Sequence, residues 1–363
     1  MPFPEITAFE RFAEPVLSNF HNIYGPKPLR EQLPGCEGYP YHMYLMGWTT
    51  ADSNPGYFGS DAIFLARGKD LFHWEVFAGE DGWDASMDPA KWVPVVTATP
   101  AWHDNWHNGD PSVVKKGGLY HMAYSSHCFG FDGIPEWEEG DTDGDIECTN
   151  AAVSEDGIHW EKSDAPILIS PHEKGLTRDA RRQMMKERAF DGYWCRPSLL
   201  YDEQKWKLWF DISCSDMGYA ENAGEFMDPG GWKVIRDGKN PSLPNFPNPE
   251  VVKLDGRYYA FGDPNILALG ADFDGKGWAA RQLALAVSDD GQKFSPIGWI
   301  RPDPDAPAGH VPGCLVEGGH LYLYYATQKG HSLGAAEYDF RYNRIRVMRI
   351  ATEKLAELAD ILK

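Results

Sequence analysis

Apolar and polar residues alternate in short stretches along most of this chain, at the period of two that belongs to half-buried β-strands. Four stretches open on a proline: Asp110-Pro-Ser-Val-Val, Arg196-Pro-Ser-Leu-Leu, Asn248-Pro-Glu-Val-Val and His310-Val-Pro-Gly-Cys-Leu-Val. Proline suits the start of a strand because it has no N–H to give to a ladder. Polar turns at 116–118, 202–205, 255–256 and 317–319 follow, each leading into an aromatic-rich second strand. A fifth aromatic strand starts at Tyr41, behind a degenerate opener somewhere in 24–40. Third strands start near Asp61, Asn150 and Arg281, each running into a charged turn and an aromatic residue. The 3.6-residue period is nearly confined to the tail, where it predicts one short helix over 352–363.

Repeated antiparallel units with only short edges describe a ring, and five of them predict an all-β, five-bladed β-propeller. A β-sandwich gives no reason for a repeated proline register. Spread over 363 residues, each unit has roughly 73, so the excess is expected in loops at 50–60, 78–109, 127–147, 163–190, 212–245 and 264–280. The whole chain, 1–363, reads as one domain, with 1–29 a lead-in packed on the ring and the C-terminal helix a cap.

Apolar residues make up 42% of the chain, and 14 Trp, 17 Tyr and 18 Phe supply ample core. With 34 basic against 54 acidic side chains the formal charge is −20, which argues against nucleic acid as a partner. The acidic surface favours a neutral or cationic ligand. No run has the length of a membrane span, and the opening MPFPEITAFERF has no leader pattern. The chain as it stands is expected in the cytoplasm, or secreted or periplasmic if a leader has been trimmed. Six cysteines without a C-x-x-C pair read as mostly buried thiols.

The Asp110-Pro-Ser-Val-Val strand with LYHMAYSS, the third strands Ala-Val-Ser-Glu-Asp-Gly-Ile-His-Trp (152–160) and Ala-Val-Ser-Asp-Asp-Gly (286–291), and the His310 opener resemble the five-bladed propeller glycosidases: arabinanases, xylosidases, fructosidases and anhydrogalactosidases. The resemblance covers roughly residues 40–345. It implies glycoside cleavage by carboxylates at the mouth of the ring, and a calcium ion or water cluster near His310, with no cofactor required. Two departures stand out. No acidic opener is found before the Tyr41 strand, and Trp194-Cys195-Arg196-Pro197 stands where a Glu-Gly-Pro acid is usual. Ser154-Glu-Asp-Gly-Ile-His-Trp160 also lacks the Asp–Gly spacer of sialidase boxes.

Glycoside hydrolysis needs one carboxylic acid to protonate the leaving oxygen and a second carboxylate to activate water or attack carbon. Asp110 is the leading candidate, with an Asx turn as its structural alternative. Glu250 and Asn248 lie two apart and share a sheet face. A core-facing glutamate is either catalytic or paired with an inward cation such as Arg196. Asp61 and Asp263 complete the catalytic set; Asp211 and Asp191 are expected to cap turns. Arg196 would clamp a substrate or lower neighbouring carboxyl pKa values. Asn248, His107, Trp106, Trp48 and Trp194 are candidate sugar contacts, the indoles as flat faces for sugar rings. Trp102 and Tyr193 lie near the same mouth. His103 and His107 have no helical spacing to make a zinc pair. The acidic run 136–147 misses the EF-hand spacing and reads as a solvated loop. The expected activity is release of a terminal sugar from a glycan; the alternatives are a glycoside phosphorylase and a carbohydrate-binding propeller without catalysis.

Overall fold

The computed structural model describes residues 2–18, 23–48, 61–101, 103–129, 145–170, 193–302, 308–328 and 343–360. Their strands form five antiparallel sheets, four of four strands and one of five. After β1 (Glu10–Arg11), the first blade is β2 (Tyr24–Leu29), β3 (Tyr41–Trp48), β4 (Asp61–Gly68), β5 (Trp74–Phe77) and β6 (Trp83–Asp84). The second is β7 (His107–Lys116), β8 (Leu119–Phe129), β9 (Asp145–Ser154) and β10 (Glu161–Lys162). The third is β11 (Trp194–Asp202), β12 (Lys205–Ile212), β13 (Asp216–Asn222) and β14 (Lys233–Arg236). The fourth is β15 (Glu250–Leu254), β16 (Arg257–Gly262), β17 (Leu283–Ser288) and β18 (Ser295–Ile300). The fifth is β19 (Gly309–Glu317), β20 (His320–Gln328) and β21 (Asn343–Ala351), with β1 as its outer strand. The helix α1 (Thr352–Asp360) follows.

Three expectations are corrected. The segment 1–29 is no simple lead-in: β1 closes the fifth sheet and Tyr24–Leu29 is the first blade's inner strand. Its opener is Gly25-Pro26, a fifth copy of the proline signature in which glycine hides the match. The stretch 212–245 holds two strands, β13 and β14. Gly218 makes β13 look like a loop, yet a Cβ there would lie 2.4 Å from the Phe210 ring, so the strand needs glycine to let that ring pass.

The signature is a backbone device. The residue before each proline has a left-handed φ: Gly25 +58°, Asp110 +46°, Arg196 +50°, Asn248 +51° and Val311 +45°. Four of these are not glycine, and each costs about 1–2 kcal/mol that surrounding contacts must offset. The strand bulges at this pair, as the register skips between Tyr24/Lys27, Gly109/Ser112, Cys195/Ser198 and His310/Gly313 show. The amide N–H at the left-handed residue turns to the preceding blade. Asp110 donates to Met46 Sδ (3.2 Å), Arg196 to Ser125 Oγ (2.6 Å), Asn248 to Asp211 Oδ2 (3.0 Å) and Val311 to Asp263 Oδ2 (3.0 Å).

One layer deeper a second staircase runs around the axis. Leu199 N donates to Ser112 Oγ, Val251 N to Ser198 Oγ and Cys314 N to Glu250 Oε1, at 2.8, 2.8 and 3.3 Å. Where the fifth blade meets the first, Gly313 has no side chain to accept and Pro28 no N–H to give. A Cβ on Gly313 would fall 1.6 Å from Pro26 O, so the backbones close that seam directly. Lys27 reaches across the axis to Glu250 at 2.5 Å. The void left on the axis is about 20 Å³, room for about one water molecule.

Packing between blades supplies the rest, in five clusters, one per interface. Tyr44, Leu65, Tyr120 and Met122 meet between the first and second blades, and Trp209, Tyr219 and Tyr258 between the third and fourth. The Ser-x-Asp-Gly turns lock the same interfaces: Tyr44 OH donates to Gly157 O and Trp209 Nε1 to Gly291 O, both at 2.7 Å. Lys27→Met leaves the Glu250 carboxylate buried without a cation and should cost about 3–5 kcal/mol in urea unfolding. Adding Glu250→Gln should recover most of the loss; if Lys27→Met alone is silent, the pair does not hold the axis.

Candidate active site

The left-handed residues point their side chains to one end of the axis, so Asp110, Arg196 and Asn248 form the floor of the mouth beside Gly25. Arg196 is the hub. Its Nε lies 3.7 Å from Asp110 Oδ2, and its Nη1 lies 3.6 Å from Asp211 Oδ2 and 2.8 Å from Cys214 Sγ.

Glu147 joins this group, although its segment reads as a solvated acidic loop in the sequence. It sits near the start of β9, only 7% exposed, with Oε1 2.9 Å from His127 Nε2 and Oε2 accepting from Cys195 Sγ at 2.9 Å. The signal was the alternation Ile146-Glu147-Cys148-Thr149, which extends the strand four residues before Asn150. Residues 136–144 of that run lie outside the described residues, as do Asp191 and Trp102.

Burial and charge divide these carboxyls. Burial pushes Asp110 up to about 6; Arg196 offsets only part of this, and the charges of Asp61 and Glu147 add to it. Asp110 Oδ1 is enclosed without a hydrogen-bond donor among the described residues, in keeping with that shift. Burial acts on Glu147 in the same direction, but His127, Arg196 and the Cys195 thiol outweigh it and hold the carboxyl at about 2. His127 is raised in return: burial pulls it down, but the Glu147 charge and the hydrogen bond to Glu147 together outweigh burial.

Asp61 begins β4 opposite Trp48 and is 8% exposed. Its amide donates to His107 Nδ1 at 2.7 Å, and Tyr24 OH lies 3.5 Å from its Oδ2. His107 Nδ1 also lies 3.2 Å from Asp61 Oδ2. Trp106 is half-buried, its ring 3.8 Å from that of His107, and Trp48 is half-buried at the end of β3.

Other expected site residues lie elsewhere. Glu250 is in the layer beneath, bound to Lys27 and to Ser198 Oγ at 3.1 Å, because the left-handed turn at Asn248 breaks the strand alternation between them. Asp263 is fully enclosed and already accepts from Asn248 Nδ2 (2.8 Å), Arg281 Nη2 (2.6 Å) and Val311 N (3.0 Å), which makes it a tie between blades. Asp211 is also fully enclosed, and burial pushes it up to about 6 despite Arg196 and the Asn248 amide. Trp194 is buried against Phe210 at 5.3 Å, in the core between the second and third blades, so it offers no sugar platform. His103 is buried with Nδ1 3.0 Å from Asn150 Oδ1. His310 is buried with its ring 5.8 Å from that of Tyr24; among the described residues no three His, Cys, Asp or Glu side chains converge as a metal site.

No protein-family model matches the sequence, and no curated protein matches it. Solved structures do match in fold. An α-L-arabinofuranosidase from Podospora anserina in complex with cellotriose is 10% identical, with a TM-score of 0.57 over 95% of this chain and 98% of that one. An α-L-arabinanase from Cellvibrio cellulosa complexed with arabinohexaose is 12% identical, TM-score 0.51, over 91% of both chains. Sucrose-6-phosphate hydrolase from Lactobacillus gasseri is 15% identical, TM-score 0.56, over 93% of this chain and 62% of its own. The chain thus has the five-bladed propeller fold of these glycoside hydrolases.

Asp110 binds protons more tightly in the folded state, so between pH about 4 and 6 the native protein holds more protons than the unfolded chain and loses stability as pH rises. Asp110→Asn should therefore gain about 1–3 kcal/mol over the wild type at pH 7, a difference that vanishes near pH 4. Urea unfolding at the two pH values checks this; a loss at both would make Asp110 a strand-opening turn residue.

Proposed function

We propose that the protein is a glycoside hydrolase that releases a sugar from the end of a glycan, with Asp110 as general acid and Glu147 as its ionised partner. One observation carries this reading: two carboxyls flank Arg196 at the closed floor of the mouth, one pushed up to about 6 and the other held at about 2. Opposite protonation states in neighbouring carboxyls are what acid-and-base catalysis on one sugar requires. The shared fold with enzymes bound to cellotriose and arabinohexaose supports a carbohydrate as substrate.

Asp110 gives its proton to the glycosidic oxygen as the bond to the anomeric carbon breaks. Glu147 either takes a proton from water attacking that carbon or attacks it directly, and positive charge develops on the sugar ring between them. Arg196 fixes the acid's carboxyl and keeps Glu147 charged. His107 Nε2 can hydrogen-bond a sugar hydroxyl, and the half-buried Trp48 and Trp106 faces suit the apolar side of the ring. The axial plug of Lys27 and Glu250 makes the mouth blind, which suits a chain end rather than a chain threaded through.

Release of reducing sugar from neutral oligosaccharides tests the proposal. Asp110→Asn and Glu147→Gln should each lower kcat/KM by about 10²–10⁴-fold. In the wild type kcat/KM should fall as pH rises through about 6, where the acid loses its proton. Sugar binding without turnover would instead favour a carbohydrate-binding propeller, the reading that the non-acidic openers Gly25 and Arg196 favour.

A further inference from the structure

Between the third and fourth blades lies a cleft of about 320 Å³, lined by Cys214, Ser215, Asn245, Asn265, Gly277 and Arg281, with Pro247 also on its wall. Ligand pockets start at about this size. Cys214 forms the common wall with the mouth, since its sulfur touches Arg196 Nη1 at 2.8 Å.

The cleft is preformed. Asn245 N is pinned to Asp216 Oδ1 at 2.9 Å, Asn265 Oδ1 accepts from Leu267 N at 3.1 Å, and Arg281 is held by Asp263 at 2.6 Å. Cys214, Asn245 and Gly277 all have left-handed φ, at +54°, +52° and +59°. Among the described lining residues none is aromatic, and Ser215, Asn245, Asn265 and Arg281 offer an occupant hydrogen bonds. The Arg281 charge is met by Asp263, which leaves the cleft no cation set aside for an acidic group. These features fit a neutral polyhydroxylated ring.

We propose that this cleft is a second sugar subsite, holding the unit next to the one processed between Asp110 and Glu147. The substrate is then a neutral oligosaccharide or glycan chain whose recognition spans at least two units. The assignment rests on the glycosidase reading only for the identity of the first unit.

Cys214 reports occupancy directly, being exposed while Cys36, Cys148, Cys195 and Cys314 are buried. Its reaction with 5,5′-dithiobis(2-nitrobenzoate) is followed in the wild type with cellotriose, xylotriose or arabinohexaose, and with glucose, xylose or arabinose at equal concentration. Cys214→Ser identifies the signal. At least one oligosaccharide should slow labelling by roughly tenfold at ten times its Kd, while its monosaccharide does not. Ser215→Trp, which fills the cleft from an exposed position, should remove that protection. The subsite is refuted if no oligosaccharide protects or if the monosaccharide protects equally. Release of reducing sugar is measured in parallel: protection without release keeps the subsite and sinks the hydrolase reading, and release without protection does the reverse.

Discussion

The structure depends on a left-handed residue followed by proline at the head of each inner strand. Proline cannot supply a ladder N–H, and the residue before it is turned so that its own amide leaves the sheet. That amide has to be satisfied, because a buried donor without a partner costs about 1–3 kcal/mol. In four blades the partner is a side chain at the end of the preceding blade's second strand. The corresponding position in the fifth blade is Ala326, paired with His310, and the opener it faces is glycine. A single constraint therefore joins the blades and aims the side chains of Asp110, Arg196 and Asn248 into the mouth. Strain, closure and site are one arrangement.

The same constraint sorts the acids. A carboxylate recruited to accept a strand-opening amide is fully enclosed, as Asp211 and Asp263 are, and is unavailable to a substrate. The carboxylates left at the mouth are those at the left-handed position itself, Asp110, or at the start of third strands, Asp61 and Glu147. Arg196 lies 3.7 Å from Asp110 and 3.6 Å from Asp211 and also acts on the Glu147 charge, so three acids share a single guanidinium. Burial raises Asp110 and Arg196 offsets only part of it, whereas Glu147 is held by His127 and the Cys195 thiol as well and stays low.

Much of the fold was legible because its device leaves a mark in the sequence. Proline heads, aromatic second strands and Ser-x-Asp-Gly turns are local, and each recurs. The first blade hid because its opener is Gly25, the one residue that takes a positive φ without strain. β13 hid because Gly218 is demanded by Phe210, a tertiary need invisible to periodicity. The site was less legible. Glu250 and Asn248 do lie two apart, but Asn248 has a left-handed φ, so the period-two rule fails there and the glutamate drops a layer. Trp194 looked like a mouth aromatic because it precedes Arg196; its ring turns instead into the core with Phe210.

The openers Gly25 and Arg196 mark where this chain departs from the glycosidases it resembles, and the departure has a physical consequence. On the proposed function, with no carboxyl at either position, the first strands supply one acid, Asp110, and the second has to come from another strand. Glu147 meets that need from the head of β9, and Arg196 makes the change workable by standing between the two. An arginine keeps its charge at any pH at which the protein folds. A neutral residue there would leave Glu147 dependent on His127 and the Cys195 thiol, and an acid would add a further negative charge to a mouth that already holds Asp110, Asp61 and Glu147. The arginine therefore lets the two carboxyls differ in protonation while both are buried.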